Sequence, residues 1–198
     1  IENQGMQHAL NLGVMNATNE IIFIVNDDNV FCSGWDVEIE NSLKEKSVLT
    51  LNQIEPTGPG IFHFPVKDFG KNPKDFKYEN SIKKDSLTID GGIFPFAMYK
   101  KYYMAVGGFD TLYKSPFICD WDFFLKLDLI GLTFNRTHKA HLYHFGSTAT
   151  KNGKEGEKFK ATEGPAAQMF MYKWGTQPQL FENNSHRPKG QTIRGIKF

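Results

Sequence analysis

A layered α/β fold is predicted for this 198-residue chain by three observations. Short apolar, β-branched runs alternate with stretches whose apolar residues recur every three or four positions, as strands alternating with helices would. The first run, Ile21-Ile22-Phe23-Ile24-Val25, stops abruptly at Asn26-Asp27-Asp28-Asn29. That is the pattern of a buried strand delivering polar groups to the carboxyl edge of an open sheet, where ligands bind in such folds. A hydrophobic content of 40% is enough for one core at this length, with little room for a second.

The elements follow in order. Residues 3–18 carry Met6, Leu10 and Val14 four apart, one face of a helix. The strand Ile21–Val25 comes next. Ser33 is placed to cap a helix with Trp35, Ile39 and Leu43 on one side. Val48–Leu51 has the composition of another short buried strand. From Gln53 to Asp85, Pro, Gly, Lys and Asp replace any period, with Phe62, Phe64, Phe69 and Phe76 scattered through. So long a loop region in one domain suits a lid or binding surface.

Ile89–Tyr99 is strand-like but interrupted by Gly91-Gly92, a bulge or a close approach of backbone to a ligand. A short helix with Tyr102, Tyr103 and Val106 is closed by Gly107-Gly108. Cys119–Leu129 is a helix, and Thr133–Asn135 and Ala140–His144 are short strands. Gly146–Gly164 has the composition of a polar loop, in which Lys151, Lys154 and Lys158 form a solvated charged stretch or, as the other reading, close over a bound diphosphate. Pro165 is expected in the first turn of a last helix ending at Trp174. The tail 176–198 is polar and aperiodic, leaving 1–175 as the domain.

The bulk properties exclude several function classes. A net charge of +1 gives no electrostatic case for nucleic acid or an anionic membrane as the main partner. No apolar stretch approaches the roughly 18 residues of a membrane span. Cys32 and Cys119 lie far apart without metal-site spacing, which fits a reducing compartment, and hence a cytoplasmic location.

Three constellations carry candidate chemistry. Carboxylate and amide oxygens crowded at Asn26–Asn29 suit a hard cation such as Mn²⁺ or Mg²⁺, which would hold phosphates in turn. Asp120 and Asp122 stand at the amino end of a helix, where acids are favoured and where a partly desolvated carboxylate can act as a base. Two positions apart on a helix, they point in different directions. His144 ends a strand, and a neutral imidazole there can ligate a metal. His138 and His141 are expected to be packing or surface residues.

Taken together and in order, these residues resemble the inverting glycosyltransferases of family 2. The likeness begins at Glu2-Asn3-Gln4-Gly5, continues through Ala9-Leu10-Asn11-Leu12-Gly13 and reaches the acidic turn. It resumes at Gly91-Gly92, Lys100-Lys101, Val106-Gly107-Gly108-Phe109-Asp110, Asp120-Trp121-Asp122, Leu125, Gly131 and His144, and ends at Lys173-Trp174-Gly175. The resemblance implies a GT-A sheet with flanking helices, N-terminally truncated so that the first βαβ portion is missing. It implies transfer of a sugar from a nucleotide-diphosphate donor to a hydroxyl of a glycan, lipid or protein acceptor. By the same resemblance Asp28, with His144, ligates Mn²⁺ or Mg²⁺. Asn26 and Asp27 lie at the nucleotide, Gly91 and Gly92 line the donor, and Asp120 is the general base. Two departures stand out: Asn26 where many relatives have Asp, and Cys119 where the family has Glu. They motivate an alternative, a non-catalytic glycan- or protein-binding module on the same fold. A nucleotidyltransferase is a third reading, but it leaves Asp120 and His144 without a purpose.

Overall fold

The computed structural model describes residues 4–54, 94–144, 153–175 and 177–178, together with the backbone of four two-residue strands after them. Gly91, Gly92, most of the Gln53–Asp85 region and Phe145-Gly146-Ser147 lie outside the described residues. The elements are α1 (Met6–Asn16), β1 (Ile21–Ile24), β2 (Asn29–Phe31), α2 (Trp35–Ser42), β3 (Ser47–Ile54), β4 (Phe96–Tyr99), α3 (Lys100–Ala105), α4 (Cys119–Leu129), β5 (Thr133–His144) and α5 (Gly153–Trp174). The tail, aperiodic in sequence, forms two small antiparallel ladders, β6 (Phe181–Glu182) with β7 (Arg187–Pro188) and β8 (Thr192–Ile193) with β9 (Ile196–Lys197).

Five strands form one mixed sheet in the order β1-β4-β3-β5-β2. β4 is antiparallel to both β1 and β3, and β3 is parallel to β5, so β1, β3 and β5 point the same way. Helices α1, α3, α4 and α5 cover one face, with Ile22, Ile24, Phe96 and Met98 beneath them. On the other face α2 covers Ala97, Leu51 and Leu142 through Ile39 and Trp35. Coverage on both sides is why β1 is apolar at successive positions instead of alternating. Tyr103, Phe109, Phe123, Phe124 and Phe96 form a continuous ring stack at the centre, with Phe109 and Phe123 parallel at 4.4 Å.

The sheet must curl, and the chain itself says so. β1 and β2 are opposite edges, yet only residues 25–28 join them. Ile24 aligns through Phe96 and Thr50 with Arg136, whereas Asn29 pairs with His144 far along β5. In a flat sheet those ends would be about 25 Å apart, but the connection reaches about 18 Å at most. β5 bends where its register against β3 shifts, between the pairs Thr50–Arg136 and Asn52–His141. Two strands expected on either side of residues 136–139 are thus one strand with an irregularity in the middle.

Other differences have local causes. The α2 cap is Gly34, in the left-handed region at φ 75°, and Ser33 makes no side-chain cap. β2, only three residues long, has no sequence signature of its own; it exists because β5 offers it an edge. α5 starts at Gly153, not near Pro165, because the Lys, Glu and Ala residues of 154–163 are good helix formers despite their polarity. Pro165 sits inside the helix and supplies no backbone donor.

Candidate functional site

The carboxyl ends of β1, β3 and β5 lie along one edge of the sheet, and two candidate residues, Asp28 and His144, are brought together there. After β1 the chain turns at Asn26–Asp28, where the Asn29 side chain donates to the Asn26 carbonyl at 2.9 Å and closes the turn. Asn29 then pairs with His144, the last residue of β5. This register brings the His144 Nε2 atom to 3.2 Å from Asp28 Oδ1, with side chains 13% and 21% exposed. Asp28 Oδ1 is buried from solvent, as is Asn29 Oδ1, which accepts no hydrogen bond among the described residues. Asn26 is half-buried and Asp27 exposed.

Asp120 stands in the first turn of α4. Leu129 at the end of that helix is followed by three residues and then by β5, whose Thr133 pairs with Ser47 at the start of β3. The helix packs onto the sheet through Phe123 and Phe124, whose rings meet Phe96 of β4 and, for Phe124, Phe134 of β5. Asp120 is half-buried, shares a helix face with Phe123 and Phe124, and accepts from the Trp121 amide at 3.0 Å through its own Oδ1. Ile118, the residue that caps α4, sits at φ 72°. A β-branched residue in the left-handed region costs roughly 1–2 kcal/mol, a cost stored here at the entrance to the Asp120 turn.

Cys119, where the resemblance expects Glu, is completely buried and donates toward the Pro116 carbonyl at 3.4 Å. Burial, reinforced by the neighbouring Asp120 charge, pushes its thiol well above the ordinary range, so the position is neutral. An ionised Glu at so dry a position would be costly, and Cys fits it as a small apolar group.

Asp122 belongs to a different place. It is fully buried and turned toward α5, where its Oδ1 accepts from Trp174 Nε1 at 2.8 Å and Lys173 Nζ at 2.7 Å, with Tyr113 Oη at 3.4 Å. Lys126 Nζ lies 3.7 Å from Oδ2 and donates to the Gly108 carbonyl at 2.5 Å. Lys173 also bridges to Asp110 at 2.9 Å. Burial works against the Lys173 charge, but its bonds to Asp122 and Asp110 outweigh that and hold its pKa above the ordinary value. Nearby, Asn11 accepts from Tyr103 Oη and the Phe109 amide and donates to the Phe109 carbonyl. These contacts explain several stretches of the resemblance as architecture: Asn11, Gly107-Gly108-Phe109-Asp110 and Lys173-Trp174 interlock away from the acidic turn. Lys100 does likewise, donating to the Ala17 carbonyl at 2.7 Å just after α1.

Sequence reasoning named Asn29 only as part of the acidic turn; its pairing with the strand-terminal His144 is visible only once β2 is known. His141 is half-buried, its pKa lowered by burial and then by the His138 charge, in keeping with packing. Lys154 and Lys158 fall on α5, and Lys151 lies outside the described residues.

Among the described residues no three His, Cys, Asp or Glu side chains gather into a metal cage. Asp28 and His144 are a two-residue set, a carboxylate and an imidazole with a buried amide oxygen beside them. That fits a divalent ion which takes the rest of its shell from phosphate oxygens and water, the usual arrangement for Mg²⁺ with a nucleotide. Two clefts flank the free edge of β1. One, about 460 Å³, lies against α1, and the other, about 660 Å³, is lined by Phe23, Trp35, Tyr99 and the acids Glu20, Asp36 and Glu40. Neither includes Asp28, Asp120 or His144. No described helix is long and apolar enough to cross a membrane. No family model and no curated protein matches this chain.

Proposed function

We propose that this chain is part of a metal-assisted inverting glycosyltransferase with a GT-A-type sheet, using a nucleotide-diphosphate sugar as donor. The observation that carries the reading is the Asp28–His144 contact of 3.2 Å at the carboxyl edge of three parallel-pointing strands. Asp28 and His144 would hold Mn²⁺ or Mg²⁺, which neutralises charge on a departing diphosphate. Asp120 takes the proton of the acceptor hydroxyl as its oxygen attacks the anomeric carbon. The bond from that carbon to the diphosphate breaks on the opposite face, and the product is inverted. A half-buried carboxylate in the first turn of a helix suits that role. Asp27 would sit beside the ribose or the metal, and Asn26 would join it at the donor.

Titration calorimetry of the chain with UDP and with GDP, each with and without Mn²⁺, tests the reading. Nucleotide binding that requires the metal and is lost in Asp28→Asn is expected. Glycan binding indifferent to Mn²⁺, with no nucleotide binding, would instead identify a non-catalytic binding module. The acceptor is a glycan, lipid or protein hydroxyl.

A further inference from the structure

We propose that the buried cluster around Asp122 is a positioning device that fixes the first turn of α4, and with it Asp120; the second half of this statement rests on the proposed function. Asp122 is two residues from Asp120, on the same helical turn but facing the other way. Its carboxylate is fully buried, and its Oδ1 meets Tyr113 and, at the end of α5, Lys173 and Trp174, while Lys126 on its own helix lies 3.7 Å from Oδ2, which has no hydrogen bond among the described residues. Lys173 extends the tie to Asp110, which in turn accepts from the Leu112 amide at 2.9 Å. Lys126 extends it to the Gly108 carbonyl, next to the Asn11 contacts.

Such a cluster is a poor way merely to gain stability, because an apolar replacement of the same shape often does as well. What it does supply is direction. Ionic hydrogen bonds to Lys173 and Trp174 fix the rotation of α4 about its axis, which ring stacking alone leaves looser. A rotation of α4 by one residue would swing Asp120 by about 100° around the helix axis. The Ile118 backbone at φ 72° is consistent with a turn held in place from outside, since that conformation needs surrounding contacts to persist. Lys173 and Asp122 are positioning residues in this account; neither touches substrate.

The test compares Lys173→Met, Lys173→Arg, Trp174→Phe and Asp120→Asn by two readouts. One is turnover of a panel of UDP- and GDP-sugars, followed as nucleoside diphosphate released in the presence of Mn²⁺. The other is amide hydrogen exchange resolved over residues 119–123. Lys173→Met is expected to lower kcat at least tenfold with KM changed less than twofold, and to speed exchange at 119–123 while β1 is unchanged. Lys173→Arg should recover most of both. Trp174→Phe, which removes one donor and keeps the ring, should show the same pattern more weakly, and it decides the matter if Lys173→Met does not fold. Unchanged exchange at 119–123 in these variants overturns the clamp. A kcat within twofold of wild type in Lys173→Met, when Asp120→Asn is inactive, overturns the link to Asp120. A silent Asp120→Asn, by contrast, removes the assignment of the base and leaves the exchange result to judge the clamp.

Discussion

The acidic turn at Asp28 and the buried cluster at Asp122 are both built from short Asp-rich motifs, and they have opposite fates. Asp122 is fully buried and held through one oxygen: Oδ1 meets an indole, a phenol and an ammonium group, while Oδ2 has Lys126 at 3.7 Å and no hydrogen bond among the described residues. Asp28 meets the histidine that ends β5, beside the buried Asn29 amide oxygen, which accepts no hydrogen bond among the described residues. A carboxylate sealed from solvent and tied to other elements by the chain's own donors is architecture. One that faces an imidazole at a strand end and keeps access to solvent can take a ligand.

Four substitutions would break or sharpen this contrast. The largest effect is expected on chemistry: Asp120→Asn should lower transfer by about 10²- to 10⁴-fold, while calorimetry finds nucleotide and Mn²⁺ binding nearly intact. Retained turnover would remove Asp120 from the mechanism. Next is Asp122→Ala, which leaves two lysines and an indole without their shared acceptor. Urea unfolding should show a loss of about 3–5 kcal/mol, the penalty for breaking a buried ionic cluster. A loss below about 1 kcal/mol would mean that the cluster is not the structural tie described.

Gly108→Ala is intermediate. At φ 67° an added Cβ would lie 2.4 Å from Asn11 Oδ1 and 2.8 Å from the Tyr103 ring, so the Asn11 contacts must give way. A destabilisation of about 1–3 kcal/mol is expected, read by thermal unfolding. The smallest effect belongs to Asp110. Burial opposes its charge, but Lys173 outweighs this and lowers its pKa below the usual carboxylate value. Its contribution to stability is therefore full above the unfolded-state pKa and is lost as pH falls through the lower folded value. Asp110→Asn should lower stability slightly above about pH 4 and flatten its fall below that pH, so that variant and wild type converge in acid. An acid limb identical to wild type would show that the Lys173 bridge adds nothing.

Much of the fold was legible because its signals are local. The strand at Ile21, the four-residue spacing of α1 and the whole of α4 follow from apolar period alone. What escaped depended on distant partners. β2 is a strand only because β5 borders it, and the two runs at 133–135 and 140–144 join only because β3 pairs with both. The amino half of α5 was hidden by its glycines and lysines, which resemble a loop in composition. In the candidate site, the acidic turn and His144 could be named from their strand-end positions, but their contact is a product of sheet curl. The role of Lys173-Trp174 was invisible for the same reason: 52 positions separate Trp174 from Asp122. Nothing in the structure bears on Gly91 and Gly92, which fall outside the described residues.

The central claim is that Asp28 and His144 hold a divalent ion together with a nucleoside diphosphate. Paramagnetic broadening of histidine ring signals by Mn²⁺ in the presence of UDP or GDP tests it most directly. The account predicts that the His144 resonances disappear at a small fraction of one equivalent, before those of His8 and His138, and that Asp28→Asn abolishes the selectivity. Broadening that spreads evenly over the histidines, or that spares His144 under both nucleotides, would contradict it.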